Sequence, residues 1–204
     1  PKVIENREFK EIASDFANPL DAIREAISNA LEASATEIKI IARSEEIEQQ
    51  RKLVSKFQDN GYGMDLESLH AFFDLGNSSW KGQRKFGSEK GHGTKVYFHS
   101  EKLIVETVNR KGQRFKAEVD RPWITLKKGE LPRVKIIGPE KIRKTIKSGT
   151  EITIIGFFEN KLSPFQHHLL KDHIRWFTAF GSIKPCFEKT GRSPQLFIQG
   201  IDRD

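Results

Sequence analysis

The stretch that most restricts the folding of this chain is Phe57-Gln58-Asp59-Asn60-Gly61-Tyr62-Gly63-Met64, where an apolar run ends at a carboxylate followed by two glycines. Glycine permits a tight turn and a close approach of the backbone to a ligand, because it has no Cβ. Asp-Asn-Gly between apolar runs is also an ordinary hairpin or loop signal, so this stretch alone requires only a strand end and a turn.

The composition predicts a globular protein with one domain, or one domain and part of a second. The chain has 204 residues, of which 36% are hydrophobic, and this is enough to bury a sizeable core. A formal net charge of +7 permits an anionic partner such as nucleotide or nucleic acid, although scattered basic residues also suit a solvated face. Cys186 is the single cysteine, which excludes an internal disulfide and fits a reducing, cytosolic setting.

The sequence contains neither a membrane span nor a signal peptide. No apolar stretch approaches the roughly 20 residues that cross a bilayer, and the charged opening Pro1–Asn6 does not resemble a secretion signal. We therefore expect a cytoplasmic protein without a membrane partner. The chain starts without methionine and ends abruptly at Asp204, so we expect a fragment of a larger protein.

Apolar residues spaced three or four apart predict helices. The predicted helices are Arg7–Phe16, Pro19–Ala35, Asp65–Leu75 and Pro164–Phe180. Within the second, Glu25 and Asn29 are four residues apart and project from one face. A carboxylate beside a carboxamide can position one water and one metal-bound phosphate, but the pair also suits the polar surface of an amphipathic helix.

Runs rich in β-branched and aromatic residues predict strands. The predicted strands are Glu37–Arg43, Lys52–Gln58, Leu103–Val108, Arg114–Val119, Val134–Ile137 and Glu151–Phe157, with Glu45–Arg51 as a charged connection. Asp59 therefore lies at a strand end. Gly149-Thr150 immediately precedes the last strand, where Thr150 can present its hydroxyl to a ligand or simply form a turn.

The segment Gly76–Lys95 combines glycines, hydroxyls and cations. This composition suits a mobile loop that folds over phosphate and ends at a helix with free N–H groups, and it equally suits a solvated linker. It is not a Walker loop, because Gly93-Thr94-Lys95 inverts the required Gly-Lys-Ser/Thr order. His168 and His173 are five residues apart and do not share a helix face, so we predict no metal site there.

Four segments in fixed order resemble the boxes of the GHKL ATPases, which include gyrase, the large heat-shock chaperone, histidine kinases and the mismatch-repair protein MutL. Glu25-x-x-x-Asn29-Ala30-x-x-Ala33 resembles the N box, and Asp59-x-Gly61-x-Gly63-Met64 resembles the first glycine box. Gly87–Thr94 resembles the lid end with the second glycine box, and Gly149-Thr150 the last box. The resemblance spans roughly residues 7–157.

The resemblance implies an α+β fold, a two-layer α/β sandwich in which helices cover one face of a mixed, mostly antiparallel sheet (the Bergerat fold). It assigns residues 1–160 to an ATP-binding domain and leaves 161–204 as a C-terminal helix and strand extension, compatible with the start of a second module. By resemblance, Asp59 accepts a hydrogen bond from the exocyclic amine of adenine, and Thr150 bridges to the base. Asn29 ligates Mg²⁺, and Glu25 orients and deprotonates the attacking water.

The same resemblance assigns the remaining ATP contacts. The first glycine box supplies Gly61, Gly63 and Met64, and the closing lid supplies Ser78, Ser79 and Lys81. The backbone N–H groups that hold phosphate belong to Gly91, His92, Gly93 and Thr94.

Two segments resemble the sequences of the chaperone, MutL and MORC-like members more than those of histidine kinases. They are Ile27-Ser28-Asn29-Ala30 and Gly76-Asn77-Ser78-Ser79. Two features depart from the sequence pattern of the family. Glu32 stands where several members have Asp, and the sequence Gly91-His92-Gly93-Thr94 differs from those of the named members. The resemblance implies a Mg²⁺-dependent ATPase module of a larger chain, with lid closure, nucleotide-dependent homodimerisation, and slow or absent turnover in this fragment. The alternatives are histidine-kinase-type phosphotransfer and a basic nucleic-acid-binding module without turnover.

Overall fold

The computed structural model describes residues 11, 18–73, 93–142, 146–181 and 194–202. The predicted helix Arg7–Phe16 lies outside these residues apart from Glu11, and so does the loop from residue 76 to residue 92. The elements in chain order are α1 (Asp21–Glu32), β1 (Glu37–Ile47), β2 (Gln50–Asp59), α2 (Leu66–Phe72), a 3₁₀ helix (Gly93–Phe98), β3 (Lys102–Val108), β4 (Gln113–Asp120), α3 (Pro122–Lys127), β5 (Lys135–Lys141), β6 (Gly149–Ile155), α4 (His167–Phe177) and β7 (Gln195–Gln199).

The strands form one seven-stranded sheet in the order β5-β4-β3-β6-β2-β1-β7. Five neighbouring pairs are antiparallel, and β1 pairs with β7 in parallel. Alternate residues of the central strands face the core, as a half-buried sheet requires. The fully buried members include Ile38, Ile40, Leu53, Leu103, Val105, Ala117 and Ile154. The mixed α/β architecture with a largely antiparallel sheet confirms the predicted fold class.

Helix α1 is shorter than the predicted helix Pro19–Ala35. Pro19 and Leu20 form a turn before the helix, and the side chain of Asn18 accepts the Leu20 N–H at 3.0 Å. At the other end the chain turns into β1 through Ser34, whose φ is +57°. The side chain of Asn60 then accepts the N–H groups of Thr36 and Glu37 at 2.8 and 2.9 Å. This links the turn after β2 to the junction between α1 and β1.

The predicted connection Glu45–Arg51 is wrong, because β1 continues to Ile47 and β2 begins at Gln50. Two residues, Glu48 and Gln49, make the turn, with φ of +52° and +62°. Positive φ at both central residues is typical of the hairpin turn that matches the twist of paired strands. The charged side chains of this segment gave no apolar strand pattern, because they extend from the paired strands into solvent.

Several other predicted boundaries change. Strand β5 continues from Lys135 to Lys141. Strand β6 ends at Ile155, and it already includes Gly149 and Thr150 as its first two residues. The predicted helix Pro164–Phe180 is α4 flanked by 3₁₀ turns at Ser163–Phe165 and Ala179–Gly181. Leu66 is an apolar residue of the predicted helix Asp65–Leu75, and it is 42% exposed because it opens α2.

The described part of the C-terminal region adjoins the same sheet. Strand β7 extends the sheet by pairing Gln195 with Glu37, and Leu170 and Ile174 of α4 join the core. The division at residue 160 stays a prediction. Among the described helices, none combines the length and apolar character needed to cross a membrane.

Candidate functional site

A cavity of about 590 Å³ opens between α1, the end of β2, α2 and the start of β6. This volume lies within the range of small-molecule sites, about 300–1,000 Å³. The structure brings eight of the predicted site residues together in its lining: Glu25, Asn29, Asp59, Gly63, Met64, Gly93, Thr94 and Thr150. Gly61 adjoins the lining through Asp59. Ser78, Ser79, Lys81, Gly91 and His92 lie outside the described residues.

Asp59 brings a largely buried carboxylate to the cavity at the end of β2. Its Oδ1 accepts the N–H of Gly61 at 2.7 Å. Burial raises the pKa of Asp59 above its ordinary value, and the backbone N–H groups of Gly61 and Thr150 partly oppose that shift. A carboxylate has about four lone-pair positions, so Asp59 can accept a further donor from a ligand in the cavity.

The turn after Asp59 requires glycine at two positions. Gly63 has φ of +65°, and a Cβ there would overlap the carbonyl of Val108. A Cβ at Gly61 would come within 2.6 Å of the Cβ of Ala33. Both glycines therefore allow the turn to pack directly against neighbouring elements.

Thr107 organises this end of the cavity, although the sequence analysis did not identify it. Its Oγ1 accepts the Met64 N–H at 2.8 Å and donates to the Gly149 carbonyl at 3.1 Å. The same oxygen lies 3.2 Å from the Thr150 hydroxyl. The available signal was a polar residue at a core-facing position of β3, after Leu103 and Val105.

Glu25 and Asn29 form a bonded pair on α1, as their spacing predicts. The Asn29 Nδ2 donates to the Glu25 Oε1 at 3.0 Å, which leaves the amide oxygen of Asn29 as the atom suited to a hard cation. The described residues contain no cluster of three or more His, Cys, Asp or Glu suited to a metal. The Asn29 amide oxygen is the donor that would fit a hard cation here, with a phosphate ligand supplying other oxygens.

The start of the 3₁₀ helix packs against this pair. A Cβ at Gly93 would overlap the Glu25 carboxylate, so a larger residue at this position would displace that carboxylate. The Thr94 hydroxyl donates to the carbonyl of Phe72 at 3.0 Å, which ties the 3₁₀ helix to α2. The second glycine box and the N box therefore meet at one side of the cavity.

Known proteins resemble this chain to different degrees. A search of curated proteins gave no match. A solved structure titled as the N-terminal domain of a DNA repair protein is 20% identical, with a TM-score of 0.48. The alignment covers 83% of this chain and 43% of that chain, so the present chain spans less than half of that protein's length.

A family profile described as "Histidine kinase-, DNA gyrase B-, and HSP90-like ATPase" matches residues 17–150. The matched range is more than half of the chain and contains every residue that lines the cavity except Ile152. The chain belongs to the histidine kinase-, DNA gyrase B- and HSP90-like ATPase family.

Proposed function

We propose that this chain is a Mg²⁺-dependent ATP-binding module of a larger ATPase, in which lid closure and slow hydrolysis act as a conformational switch. Family membership supports ATP binding in general. The observation that carries the specific proposal is the placement of Asp59, Thr150 and the Glu25–Asn29 pair around one cavity of nucleotide size.

Asp59 recognises adenine in this proposal. Its ionised carboxylate accepts the exocyclic amine, whereas the corresponding carbonyl of guanine would repel it. Thr107 supports this contact. The Thr107 hydroxyl donates its proton to the Gly149 carbonyl. The Thr150 hydroxyl therefore donates to the Thr107 oxygen and keeps its own lone pairs for the base or a bridging water.

Glu25 acts as the general base at the phosphate end. Its carboxylate accepts from Asn29 through one oxygen, and it orients and deprotonates a water for attack on the terminal phosphate. Asn29 offers its amide oxygen to Mg²⁺, which neutralises phosphate charge when bound. The backbone of Gly91–Thr94 binds phosphate, and Ser78, Ser79 and Lys81 belong to the lid that closes over it.

The amino-acid sequences of the N box and the lid support membership of the chaperone, MutL and MORC-like branch. Nucleotide-dependent dimerisation and further domains in the larger chain are part of this proposal. Full turnover in that setting requires a cation from a following domain, so we expect this chain alone to hydrolyse ATP more slowly than about 1 per second. Light scattering with and without nucleotide tests dimerisation, and transfer of labelled phosphate to a histidine would instead favour the kinase branch.

Calorimetric titration with a non-hydrolysable ATP analogue and Mg²⁺ tests the proposal directly. We expect saturable binding to the wild type. Asp59→Asn should weaken it roughly 10- to 150-fold, because a hydrogen bond to a charged group contributes about 1.5–3 kcal/mol. Glu25→Ala should retain binding, since Glu25 serves catalysis.

Asp65→Asn is the matched control for the loss of a carboxylate. Asp65 caps α2 by accepting the Ser68 N–H at 2.9 Å, and asparagine caps a helix equally well. This variant should bind like the wild type. A folded wild type that does not bind the analogue, or equal affinities for Asp59→Asn and Asp65→Asn, would refute the assignment.

A further inference from the structure

Tyr62 is an aromatic residue at the mouth of the cavity, and the function proposed above does not use it. It lies between the two glycines of the first glycine box and belongs to the lining of the cavity. At the same time, 43% of its surface is exposed to solvent. A bound ligand can therefore cover a large part of this ring, and aromatic side chains bury much apolar area when they are covered.

The backbone of Tyr62 is held on both sides. Its N–H donates to the carbonyl of Ala33, at the end of α1, at 3.0 Å. Two residues later, the N–H of Met64 donates to the hydroxyl of Thr107 on β3 at 2.8 Å. The ring therefore projects from a loop whose course is set by α1 on one side and by β3 on the other.

The side chain of Arg110 covers one face of the Tyr62 ring. The central carbon of its guanidinium group lies 5.5 Å from the ring centroid, within the range of about 6 Å for a cation–π interaction. Arg110 is not among the described residues that line the cavity, so it approaches the ring from outside. A ligand in the cavity therefore meets the ring on a side that Arg110 leaves uncovered.

Arg110 belongs to a hydrogen-bonded turn between β3 and β4. The side-chain oxygen of Asn109 accepts the N–H groups of Lys111 and Gln113 at 3.0 and 3.1 Å. The N–H of Gly112 donates to the Asn109 carbonyl at 2.9 Å. Asn109 is itself buried. These bonds fix the position from which Arg110 reaches the ring, so the aromatic side chain is restrained before any ligand binds.

We propose that Tyr62 is a base-stacking residue of this site, and that Arg110 is a positioning residue that holds its ring toward the purine. This inference rests on the proposed function, in which Asp59 accepts the exocyclic amine of adenine. Asp59 contacts the edge of the base, whereas an aromatic ring contacts its face, and every base has such a face. Asp59 thus supplies selectivity for adenine, and Tyr62 supplies affinity for the base as such.

Tyr62→Ala and Tyr62→Phe form the first test, by calorimetric titration with the non-hydrolysable ATP analogue and Mg²⁺. Alanine substitution of a stacking aromatic weakens base binding about 5- to 150-fold, and we expect a loss in that range for Tyr62→Ala. Tyr62→Phe keeps the ring and should bind like the wild type. Trp176→Ala is the matched control, because it removes an aromatic side chain that is 76% exposed and is not among the described residues lining the cavity.

Adenosine separates stacking on the base from a contact with phosphate, because it carries the base alone. Tyr62→Ala should weaken adenosine and the ATP analogue by the same factor. Proton NMR of adenosine gives a direct measure, since an aromatic ring stacked on adenine moves its H2 and H8 resonances upfield. Phe57 and Phe72 also line the cavity, so the informative quantity is a difference between variants. The upfield shift at saturation should persist in Tyr62→Phe and decrease in Tyr62→Ala.

Arg110→Met tests the positioning role, because it removes the cation and keeps an unbranched side chain. Loss of an exposed cation–π interaction should lower the affinity for adenosine about 2- to 5-fold. Adenosine is uncharged, so the loss of a positive charge does not itself weaken it. Lys111→Met is the matched control, since Lys111 is the next cation of the same turn and is also exposed. In the Tyr62→Ala background, Arg110→Met should have no further effect.

Each part of the inference has its own contradicting result. Equal affinities for Tyr62→Ala and the wild type, a loss confined to the ATP analogue, or an undiminished upfield shift in Tyr62→Ala would overturn the stacking role while ATP binding stands. A further loss from Arg110→Met in the Tyr62→Ala background would overturn the positioning role. If the folded wild type does not bind the analogue, the proposed function fails, and the stacking role fails with it.

Discussion

Thr107→Val is the substitution that most directly tests how the Asp59 end of the cavity is held together. Valine matches the shape of threonine but removes the oxygen that accepts the Met64 N–H and donates to the Gly149 carbonyl. Thr107 is 1% exposed, so little water can replace these bonds. Leaving a buried polar group unsatisfied costs about 1–3 kcal/mol, and the two groups together predict a loss of about 2–6 kcal/mol in unfolding free energy.

Urea denaturation followed by circular dichroism measures this loss. A decrease of that size is a large fraction of the total stability of a domain, about 5–15 kcal/mol, and it should appear as a lower midpoint with an unchanged slope. Thr107→Ser keeps the hydroxyl and should recover most of the difference. Thr153→Val is a second control, because the partner of its hydroxyl among the described residues is the partly exposed Glu151, at 3.3 Å. If Thr107→Val lies within about 0.5 kcal/mol of the wild type, a typical surface effect, the network does not hold the turn.

Two predictions concern pH. Burial raises the pKa of Asp59, and the proposed adenine contact uses its ionised form. The affinity advantage of wild type over Asp59→Asn should therefore shrink as pH falls, with a midpoint above that of an ordinary aspartate. Calorimetry across pH measures this, and a constant advantage would contradict it. His99 stacks between Trp123 and Phe158 at 3.8 and 4.0 Å, and burial lowers its pKa to about 4. As pH falls from 6.5 toward 4, the histidine gains a proton in the unfolded state but not in the folded state. The free energy of unfolding should therefore drop in the wild type and not in His99→Phe. Equal changes in the urea midpoint of both proteins between pH 7 and pH 5 would refute this.

The sequence predicted the elements whose local pattern was strong. Helix α1 and the core strands carry clear periodicities of about 3.6 and 2 residues, and the structure places them close to the predicted ranges. The spacing of Glu25 and Asn29 within one helix predicted their contact for the same reason. The four boxes also predicted the correct family from the sequence alone. Each box is short and weakly specific, but few unrelated chains contain all four in this order.

The sequence could not reveal features that depend on contacts between distant segments. The Glu48–Gln49 turn has none of the usual glycine or asparagine signals, and tertiary pairing of β1 with β2 imposes its positive φ angles. The close approach of Gly93 to Glu25 arises only because the 3₁₀ helix packs against α1, and no local pattern encodes that contact.

The order of the strands explains how Asp59, Thr150 and Thr107 come together at one end of the cavity. Strand β6 lies between β2 and β3, and its register places Thr150 opposite both Asp59 and Thr107. The three side chains therefore share the face of the sheet that α1 covers. A shift of β6 by one residue would turn Thr150 to the opposite face, and the Thr107 hydroxyl would lose its neighbour. Gly149 protects this register, because a Cβ there would overlap the Asp59 carbonyl. The glycine before Thr150 is thus needed for the strand pairing itself, in addition to any role in approaching a ligand.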